Sequence, residues 1–337
     1  MEINQTLPKI VDLENYQFRP IRPEDGQAIN RMLLEIEAVD HRDIIDTLED
    51  RQRDFHDPDT NPATDTILVL TPDGQAAAMG WIFAPEEADQ EYVAFLWGEV
   101  HPAHRRRGLG DMILTWLESR ARQILSSRPT DRPRTIRAAI MDGLHDRIEL
   151  FEQHGFRAAR SFYRMQRDLQ IPIEQPILPA ACKLAGWDAS REDEQLALMN
   201  EAFRDHWGFI PMSKELWKLW VTDHEDFRPD LSFMVISAET GEIVGMSVNK
   251  VNQAENEARG MREGWVMDLC VRRPWRKQGL ATALLNASML AFKAHGLQSA
   301  GLGVDTENLT GALRLYERLG FHPVKRTYNY SKSVPME

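Results

Sequence analysis

Cysteine is scarce in this chain, which has Cys182 and Cys270 among its 337 residues. Two cysteines are too few for a disulfide framework or a cysteine-based zinc site. No apolar run approaches the roughly 20 residues that a membrane-spanning helix needs. The stretch MEINQTLPKIVDLE at the start also lacks the apolar segment of a secretory signal. These absences predict a cytoplasmic protein that has no membrane partner.

Positive charge is also in deficit, with 40 Lys and Arg against 52 Asp and Glu and a net charge of −12. General nucleic-acid binders normally show the reverse balance, so nucleic acid is not an expected partner. No Gly-Lys-Ser or Gly-Lys-Thr step indicates a P-loop nucleotide site, and no His, Asp and Glu set has metal-ligand spacing. An acidic surface is compatible with amine ligands, although solubility is the commoner reason for it.

What the chain does contain is one phrase written twice. LFEQHGF (150–156) and LYERLGF (315–321) lie 165 positions apart and share leucine, glutamate, glycine and phenylalanine in register. RRRGLG (105–110) and RKQGLA (276–281) form a second matching pair. A period this long indicates an internal duplication of whole domains, and the chain is long enough for two hydrophobic cores.

A proline-containing connector separates the two copies. LQIPIEQPILP (169–179) has three prolines and no glycine, which is typical of a stiff, extended linker. The sequence therefore predicts a leader over 1–15, an N-terminal domain over 16–170, a linker over 171–180 and a C-terminal domain over 181–333.

Each copy shows the same order of elements. A short strand leads into a helix, a hairpin follows, and an apolar strand then enters the glycine loop and a long amphipathic helix. Another strand, the helix with the repeated phrase and a last strand complete the copy. This order predicts an α/β fold in which each copy is a mixed sheet with helices on both faces. The crossover between the apolar strands makes that part of the sheet parallel.

The two glycine loops predict anion binding. Arg276 and Lys277 stand where one long helix begins, and Arg105, Arg106 and Arg107 stand where the other begins. Cations are unfavourable at a helix N-terminus unless an anion joins them. Glycine also lets a ligand approach the backbone N–H groups, as in phosphate cradles. A solvated basic turn is the alternative, and its weight falls because the pattern occurs twice.

The pattern Arg-x-x-Gly-x-Gly/Ala after an apolar strand resembles the coenzyme A pyrophosphate loop of the GNAT N-acetyltransferases. Asn308, Ala312 and Tyr316 resemble the second signature of that family, an asparagine shortly before an A-x-x-x-Y helix. The resemblance covers both halves, about 150 residues each, and matches the tandem type of the family. It implies two GNAT-like domains, each a twisted mixed β-sheet with helices on both faces.

The resemblance also implies acetyl-CoA as the cofactor. In the C-terminal domain the residues implied in cofactor binding come from the apolar strand, the loop and the asparagine: Leu269, Cys270, Val271, Arg276, Lys277, Gln278, Gly279, Leu280, Ala281, Thr282 and Asn308. In the N-terminal copy the matching residues are Val100, Arg105, Arg106, Arg107, Gly108, Leu109 and Gly110.

Acetyl transfer to an amine needs a deprotonated amine, a polarised carbonyl and a proton for the leaving thiolate. Backbone N–H groups at Cys270 or Val271 are candidates to bind the carbonyl oxygen. Tyr316 is the predicted general acid, and a core aromatic is the alternative for this residue. Asp268, on the strand before the loop, is the predicted base. A solvated acid, with a water chain as the base, is the alternative.

The acceptor side is predicted in AFRDHWGFIPMSKELWKLW (202–220), which resembles the acceptor-side segment of tandem family members. Within it, Asp205, His206, Trp207 and Phe209 are predicted to line a pocket for an amine. The alternative is that the tryptophans mainly pack the domain and that one or two polar residues reach the substrate.

The N-terminal copy lacks the catalytic signature. Register places Gly143 opposite Asn308, Arg147 opposite Ala312 and Phe151 opposite Tyr316. Phenylalanine packs like tyrosine but has no proton to donate. This copy is therefore predicted to be non-catalytic, while its loop retains the pattern for CoA binding.

Together these features predict an acetyl-CoA-dependent N-acetyltransferase that acts on the primary amine of a small molecule through its C-terminal domain. Two alternatives stay open: a non-catalytic acyl-CoA sensor or scaffold, and a protein or peptide N-acetyltransferase. The sequence leaves both a monomer and a homodimer possible.

Overall fold

A computed structural model describes residues 15–45, 47–129, 131–308 and 311–335, so nearly all of the predicted leader lies outside the described residues. The chain divides into two compact units. The first unit comprises Met1–Ala159 together with Tyr328–Glu337, and the second comprises Arg160–Thr327. Each unit therefore contains the larger part of the last strand of the other sequence copy. No helix in the described ranges is long and apolar enough to cross a membrane.

The first unit has six strands in the order β1-β2-β3-β4-β5-β12. Neighbours from β1 to β4 are antiparallel, and β4 and β5 are parallel. Its strands are β1 (Gln17–Arg19), β2 (Thr66–Leu70), β3 (Ala76–Phe83), β4 (Tyr92–Val100), β5 (Arg134–Met141) and the second half of β12 (His322–Val334). Its helices are α1 (Gly26–Asp40), α2 (Leu48–Asp54), α3 (Pro62–Asp65), α4 (Leu109–Ser126) and α5 (His145–Gln153).

The second unit repeats this arrangement in the order β7-β8-β9-β10-β11-β6. Only β10 and β11 are parallel among its described pairs. Its strands are β6 (Arg157–Asp168, mostly in this unit), β7 (Cys182–Gly186), β8 (Phe233–Ser237), β9 (Ile243–Lys250), β10 (Glu263–Val271) and β11 (Ser299–Asp305). Its helices are α6 (Glu192–Phe203), α7 (Lys214–Trp217), α8 (Gln253–Ala258), α9 (Leu280–Ala294) and α10 (Ala312–Arg318).

Alternating side chains give each sheet a core on both faces. In β2, Ile67 and Val69 pack in the cluster that contains α4, whereas Leu68 and Leu70 pack in the cluster that contains α1. This two-residue period is what a strand covered on both sides requires. The predicted α/β class, with mixed sheets and helices on both faces, is confirmed.

The repeated phrase forms the same local structure in both units. Gly155 and Gly320 adopt φ of +81° and +86°, so each ends its helix in the left-handed region. The chain then turns back, and Phe156 packs edge-on against Phe151 with ring centroids 5.1 Å apart. Phe321 contacts Tyr316 in the same way at 6.1 Å. The phrase recurs because this helix end requires its glycine and both aromatic rings.

Candidate active site

The second unit opens a slot between β10 and β11. Their parallel pairs end at Val266 and Leu302, although both strands continue. On the other side of β10 the register with β9 shifts between Val266 and Asp268, which leaves Met267 as a bulge. A bulge increases twist and redirects the side chains that follow. We call this opening the second-unit slot.

Ladder geometry determines which amides of β10 face the slot. The Arg272 N–H donates to the Val244 carbonyl at 2.9 Å. Because hydrogen-bonded pairs alternate along an antiparallel ladder, the N–H of Cys270 also faces β9. The N–H groups of Leu269 and Val271 point to the opposite edge, toward the slot. Of the two amides predicted to bind a carbonyl oxygen, only that of Val271 is therefore directed there.

The glycine loop that follows β10 presents backbone N–H groups. Lys277 and Gly279 both have positive φ, of 63° and 87°, with Gln278 between them. Left-handed residues at this spacing turn successive N–H groups toward one side, which favours anions. All three are exposed, whereas Leu280 anchors α9 in the core. The first turn of α9 has no acidic residue, so the loop fits a pyrophosphate.

Arg276 and Asp205 are already engaged within the protein. Arg276 donates to the carbonyls of Val271 at 3.1 Å and Ala202 at 2.9 Å. Asp205 accepts from Arg273 Nε at 2.9 Å and lies 3.6 Å from Arg276. These contacts tie the end of β10 to the end of α6. The ligand-binding roles assigned to both residues from the sequence stay predictions.

Tyr316 lies on α10 in the buried cluster of the second unit, with 8% of its surface exposed. Burial raises the pKa of its phenol to about 12, so the group stays protonated at neutral pH. Asn308 is half-buried ahead of this helix, and its N–H donates to the Asp305 carbonyl at 3.2 Å. Gly311, with φ of +78°, precedes α10. The described arrangement can hold a proton at the phenol oxygen.

Asp268 is half-buried on β10, and its Oδ2 atom has neither exposed surface nor a hydrogen-bond partner. Burial raises the pKa of this carboxyl to about 6, and Lys250 opposes the shift. Burial, together with the Asp268 charge, also raises the pKa of the Cys270 thiol. The Cys270 thiol therefore stays protonated at neutral pH, and the catalytic role of Asp268 stays a prediction.

The predicted acceptor residues follow α6. Burial, with a contribution from Arg276, lowers the pKa of His206, whose ring lies 4.4 Å from that of Phe203. The Phe209 N–H donates to the His206 carbonyl at 3.2 Å. The Trp207 ring lies 6.4 Å from that of Phe162. The rings of His206 and Trp207 therefore pack against other side chains of the second unit.

Sequence reasoning missed Arg160 and Phe162, which lie before the linker. Arg160 lies over the Trp207 ring at 5.9 Å and donates to Asp305 Oδ2 at 3.0 Å. Phe162 pairs with Asp305 in the β6–β11 ladder. No local pattern indicates this contact, because it depends on a long-range strand pairing.

Comparison with known proteins identifies the architecture. The model of the acetyltransferase (GNAT) family matches residues 30–156 and matches again over residues 193–321. The chain belongs to the GNAT acetyltransferase family. Both matches include a glycine loop and the helix that carries the repeated phrase, so the GNAT domain occurs twice. The predictions of a tandem GNAT protein and of an acyltransferase are confirmed.

Relatives of this GNAT acetyltransferase span most of its length. A mycothiol acetyltransferase of Thermobispora bispora is 30% identical over 268 residues, which cover 77% of this chain and 81% of the relative. The mycothiol acetyltransferase of Saccharopolyspora erythraea is 26% identical over 310 residues, or 90% of this chain and 95% of the relative.

Solved structures show the same layout. A GCN5-related N-acetyltransferase from Sphaerobacter thermophilus aligns with a TM-score of 0.73 and 26% identity, over 95% of this chain and 96% of that one. A tandem GNAT protein from the clavulanic acid biosynthesis pathway aligns with a TM-score of 0.68 over 96% of this chain and all of that one. At 17% identity, the second match shows the fold alone.

The first GNAT unit has the same loop conformation, but the strand before the loop has no register shift. Arg106 and Gly108 have positive φ of 60° and 82°. Arg105 donates to the Val100 carbonyl at 3.2 Å and binds both oxygens of Asp40 at 2.8 Å. The β3–β4 register has no shift. A cavity of about 660 Å³, the first-unit slot, is lined by the loop, the end of β4, α4 and α5.

The inner end of the first-unit slot carries a buried carboxylate. Glu99, 1% exposed, accepts from Arg42 at 2.6 Å, from both terminal nitrogens of Arg147, and from Trp97 Nε1 at 3.2 Å. Burial alone raises the pKa of Glu99, but Arg147 and Arg42 outweigh it and hold the pKa below its usual value. Phe151 stands in register with Tyr316. This unit has Glu99 in ion pairs and a phenylalanine at position 151, where the second unit has Cys270 and Tyr316.

Proposed function

We propose that the second unit transfers the acetyl group of acetyl-CoA to the primary amine of a small molecule, with Tyr316 as the general acid. The observation that carries the proposal is the buried Tyr316 phenol, with its pKa raised to about 12, in the unit that also carries Asp268 and an open anion-binding loop. A proton donor, a proton acceptor and a phosphate cradle are the groups that this reaction needs.

The loop and strand of the second unit are the proposed cofactor site. The N–H groups at Lys277, Gln278 and Gly279 are suited to the pyrophosphate. When bound, acetyl-CoA supplies an activated acetyl thioester. The N–H of Val271, and that of Leu269 one repeat earlier, are directed to bind its carbonyl oxygen, since Cys270 donates to β9. We propose that Asn308 and the remaining loop residues also contact the cofactor.

Proton transfer is assigned to two side chains. Asp268 Oδ2 has no partner in the described structure and is ionised above about pH 6, so it can accept the proton that the acceptor ammonium loses in becoming the amine that attacks the thioester. Tyr316 holds a proton that it can donate to the leaving thiolate, and it is reprotonated readily because its pKa is high.

The acceptor is proposed to be a small amine. The relatives named mycothiol acetyltransferase support this class, because their name connects them with a small thiol rather than with a protein. His206, Trp207 and Phe209 remain the proposed acceptor wall. Asp205 remains a proposed member of this wall, and its contacts with Arg273 and Arg276 fix its position there.

The test is an amine panel that follows release of free thiol from acetyl-CoA by the full chain. We expect at least one small amine to accelerate release in proportion to enzyme concentration, with the acetylated amine seen by mass spectrometry. Acetyl-CoA binding without acceleration by any small amine would reject the proposal and favour the sensor. Acceleration by peptides alone would reject the small-molecule acceptor.

A further inference from the structure

The two glycine loops of this chain match in backbone but differ in the side chains that flank them. Arg106 and Lys277 occupy the same left-handed position, with φ of 60° and 63°. The repeat register places Asp111 opposite Thr282 and Asp146 opposite Gly311. The first unit therefore adds two carboxylates at a loop that is shaped to receive phosphates.

Asp146 already pairs with one of the cations of the first loop. Its carboxylate forms an ion pair with Arg106 Nη2, and both side chains line the first-unit slot. Each is about 70% exposed, at 72% for Arg106 and 70% for Asp146, so the pair lies at the mouth of the slot rather than inside it. Gly311 has no side chain, so the second unit cannot form this pair with Lys277.

Asp111 occupies the beginning of the helix. It is the third residue of α4, lines the same slot and lies 2.9 Å from His154 Nε2. A carboxylate in the first turn complements the partial positive charge of the helix N-terminus, which a bound phosphate would otherwise do. The first turn of α9 contains no acid at all.

We propose that the first-unit slot is a CoA site of lower affinity than the second-unit slot, because Asp146 and Asp111 compete with the phosphates of the ligand. The inference rests on the proposed function in taking CoA as the shared ligand. A phosphate must displace Asp146 from Arg106 before it can use that cation. The pantetheine end of this slot meets the fixed Glu99–Arg147 pair, so a bound acyl-CoA is held without transfer.

The two slots are therefore occupied at different concentrations of CoA. The second-unit slot fills first and supports turnover. The first-unit slot fills only when CoA is more abundant, since each nearby carboxylate repels the phosphates by an amount worth about threefold to tenfold in affinity. Salt screens such repulsion, so the difference narrows as ionic strength rises.

The experiment is calorimetric titration of the full chain with CoA, which reads binding without turnover. We compare wild type with the double variant Asp111→Thr/Asp146→Gly, which copies the second loop, and with Thr282→Asp, which adds one acid of the first loop to the second without a substitution at the left-handed Gly311. The first variant is expected to tighten the weaker site tenfold or more, or to reveal a second site if only one site is detected in wild type. Thr282→Asp is expected to weaken the tighter site about threefold to tenfold.

A matched control is Glu86→Gln, which removes an exposed acid of the first unit that does not line the slot. Two equal sites in wild type, or an unchanged titration with Asp111→Thr/Asp146→Gly while the melting temperature is preserved, would overturn the proposal. So would the same gain with Glu86→Gln. The amine panel is read separately, so CoA binding without turnover rejects the proposed function and leaves this inference to the titration.

Discussion

Two carboxylates on matching strands show how the two units diverged. Glu99 on β4 is surrounded by guanidinium groups, and its pKa is held below the usual value. Asp268 on β10 has an oxygen without a partner, and burial raises its pKa to about 6. One acid is neutralised by ion pairs, and the other is the acid that we propose for proton transfer. The two copies thus keep the same loop conformation but differ in the charged residues on the strand before it.

The bulge at Met267 explains part of this difference. It shifts the β9–β10 register before Asp268, whereas β3 and β4 pair without a shift up to Val100. The repeat register places Trp97 where the second unit has Asp268, and Trp97 donates to Glu99. The first unit thus replaces an unpaired acid with an aromatic that helps bury one.

The largest expected effect is the loss of activity when the phenol hydroxyl of Tyr316 is removed. Tyr316→Phe should lower kcat by about 100-fold or more, since a positioned general acid contributes roughly that factor. Binding of CoA, followed by calorimetry, should change little because the ring still packs against Phe321. The matched variant Phe151→Tyr should give no activity to the first unit. Unchanged kcat in Tyr316→Phe across the pH range would remove the assigned role.

The next effect concerns stability. Glu99→Ala should lower the free energy of unfolding by about 3 to 5 kcal/mol, because it leaves Arg42 and Arg147 without their buried counter-charge. Cys270→Ala, at the matching position of the second unit, removes one buried sulfur and should cost about 1 to 2 kcal/mol. Urea unfolding measures both. Equal losses would show that the Glu99 cluster contributes nothing beyond packing.

Much of this could be predicted from the sequence, because the signals are local. The glycine loops, the repeated phrase and the loss of Tyr316 in the first copy all follow from spacing along the chain. Partners across strands could not be predicted in this way. Asp205 with Arg273, Arg160 with Asp305 and Arg42 with Glu99 are set by tertiary packing.

The pairing register of the strands could not be predicted from the sequence either. The direction of the Cys270 N–H depends on which residues of β9 face it, and that is settled by a ladder with a bulge. The last strands are a similar case. Met165 of β6 packs in the core of the second unit and Tyr330 of β12 in that of the first, although sequence order suggests the reverse.

A smaller effect is expected in how the contributions of Asp268 and Glu99 to stability depend on pH. The pKa of Asp268 is higher in the folded than in the unfolded state, so the stability that it contributes is present below about pH 4 and is lost as pH rises toward 6. Asp268→Asn should therefore stabilise the fold at pH 8 by about 1 to 3 kcal/mol and change little at pH 4. The same variant should lose activity, and the wild-type fall in kcat/KM below pH 6 should disappear.

Glu99 should show the opposite dependence. Its folded pKa is depressed, so its contribution is present above its unfolded value and is lost as pH falls through the folded pKa. Denaturant midpoints of wild type, Asp268→Asn and Glu99→Gln across pH 4 to 8 test both signs together. Curves that run parallel for the two variants would contradict the assignment of one acid to structure and the other to proton transfer.

The smallest effect tests whether the two loops are interchangeable where they should be. Gly110→Ala gives the first loop the alanine that the second has at position 281. A Cβ at Gly110 meets Leu150 at 3.4 Å, an ordinary contact, so stability should change by less than about 0.5 kcal/mol. Gly108→Ala is the control, because its φ of +82° should make it cost about 1 to 2 kcal/mol. Thermal melts distinguish the two, and a large loss in Gly110→Ala would mean that the first loop has a tighter backbone requirement than the second.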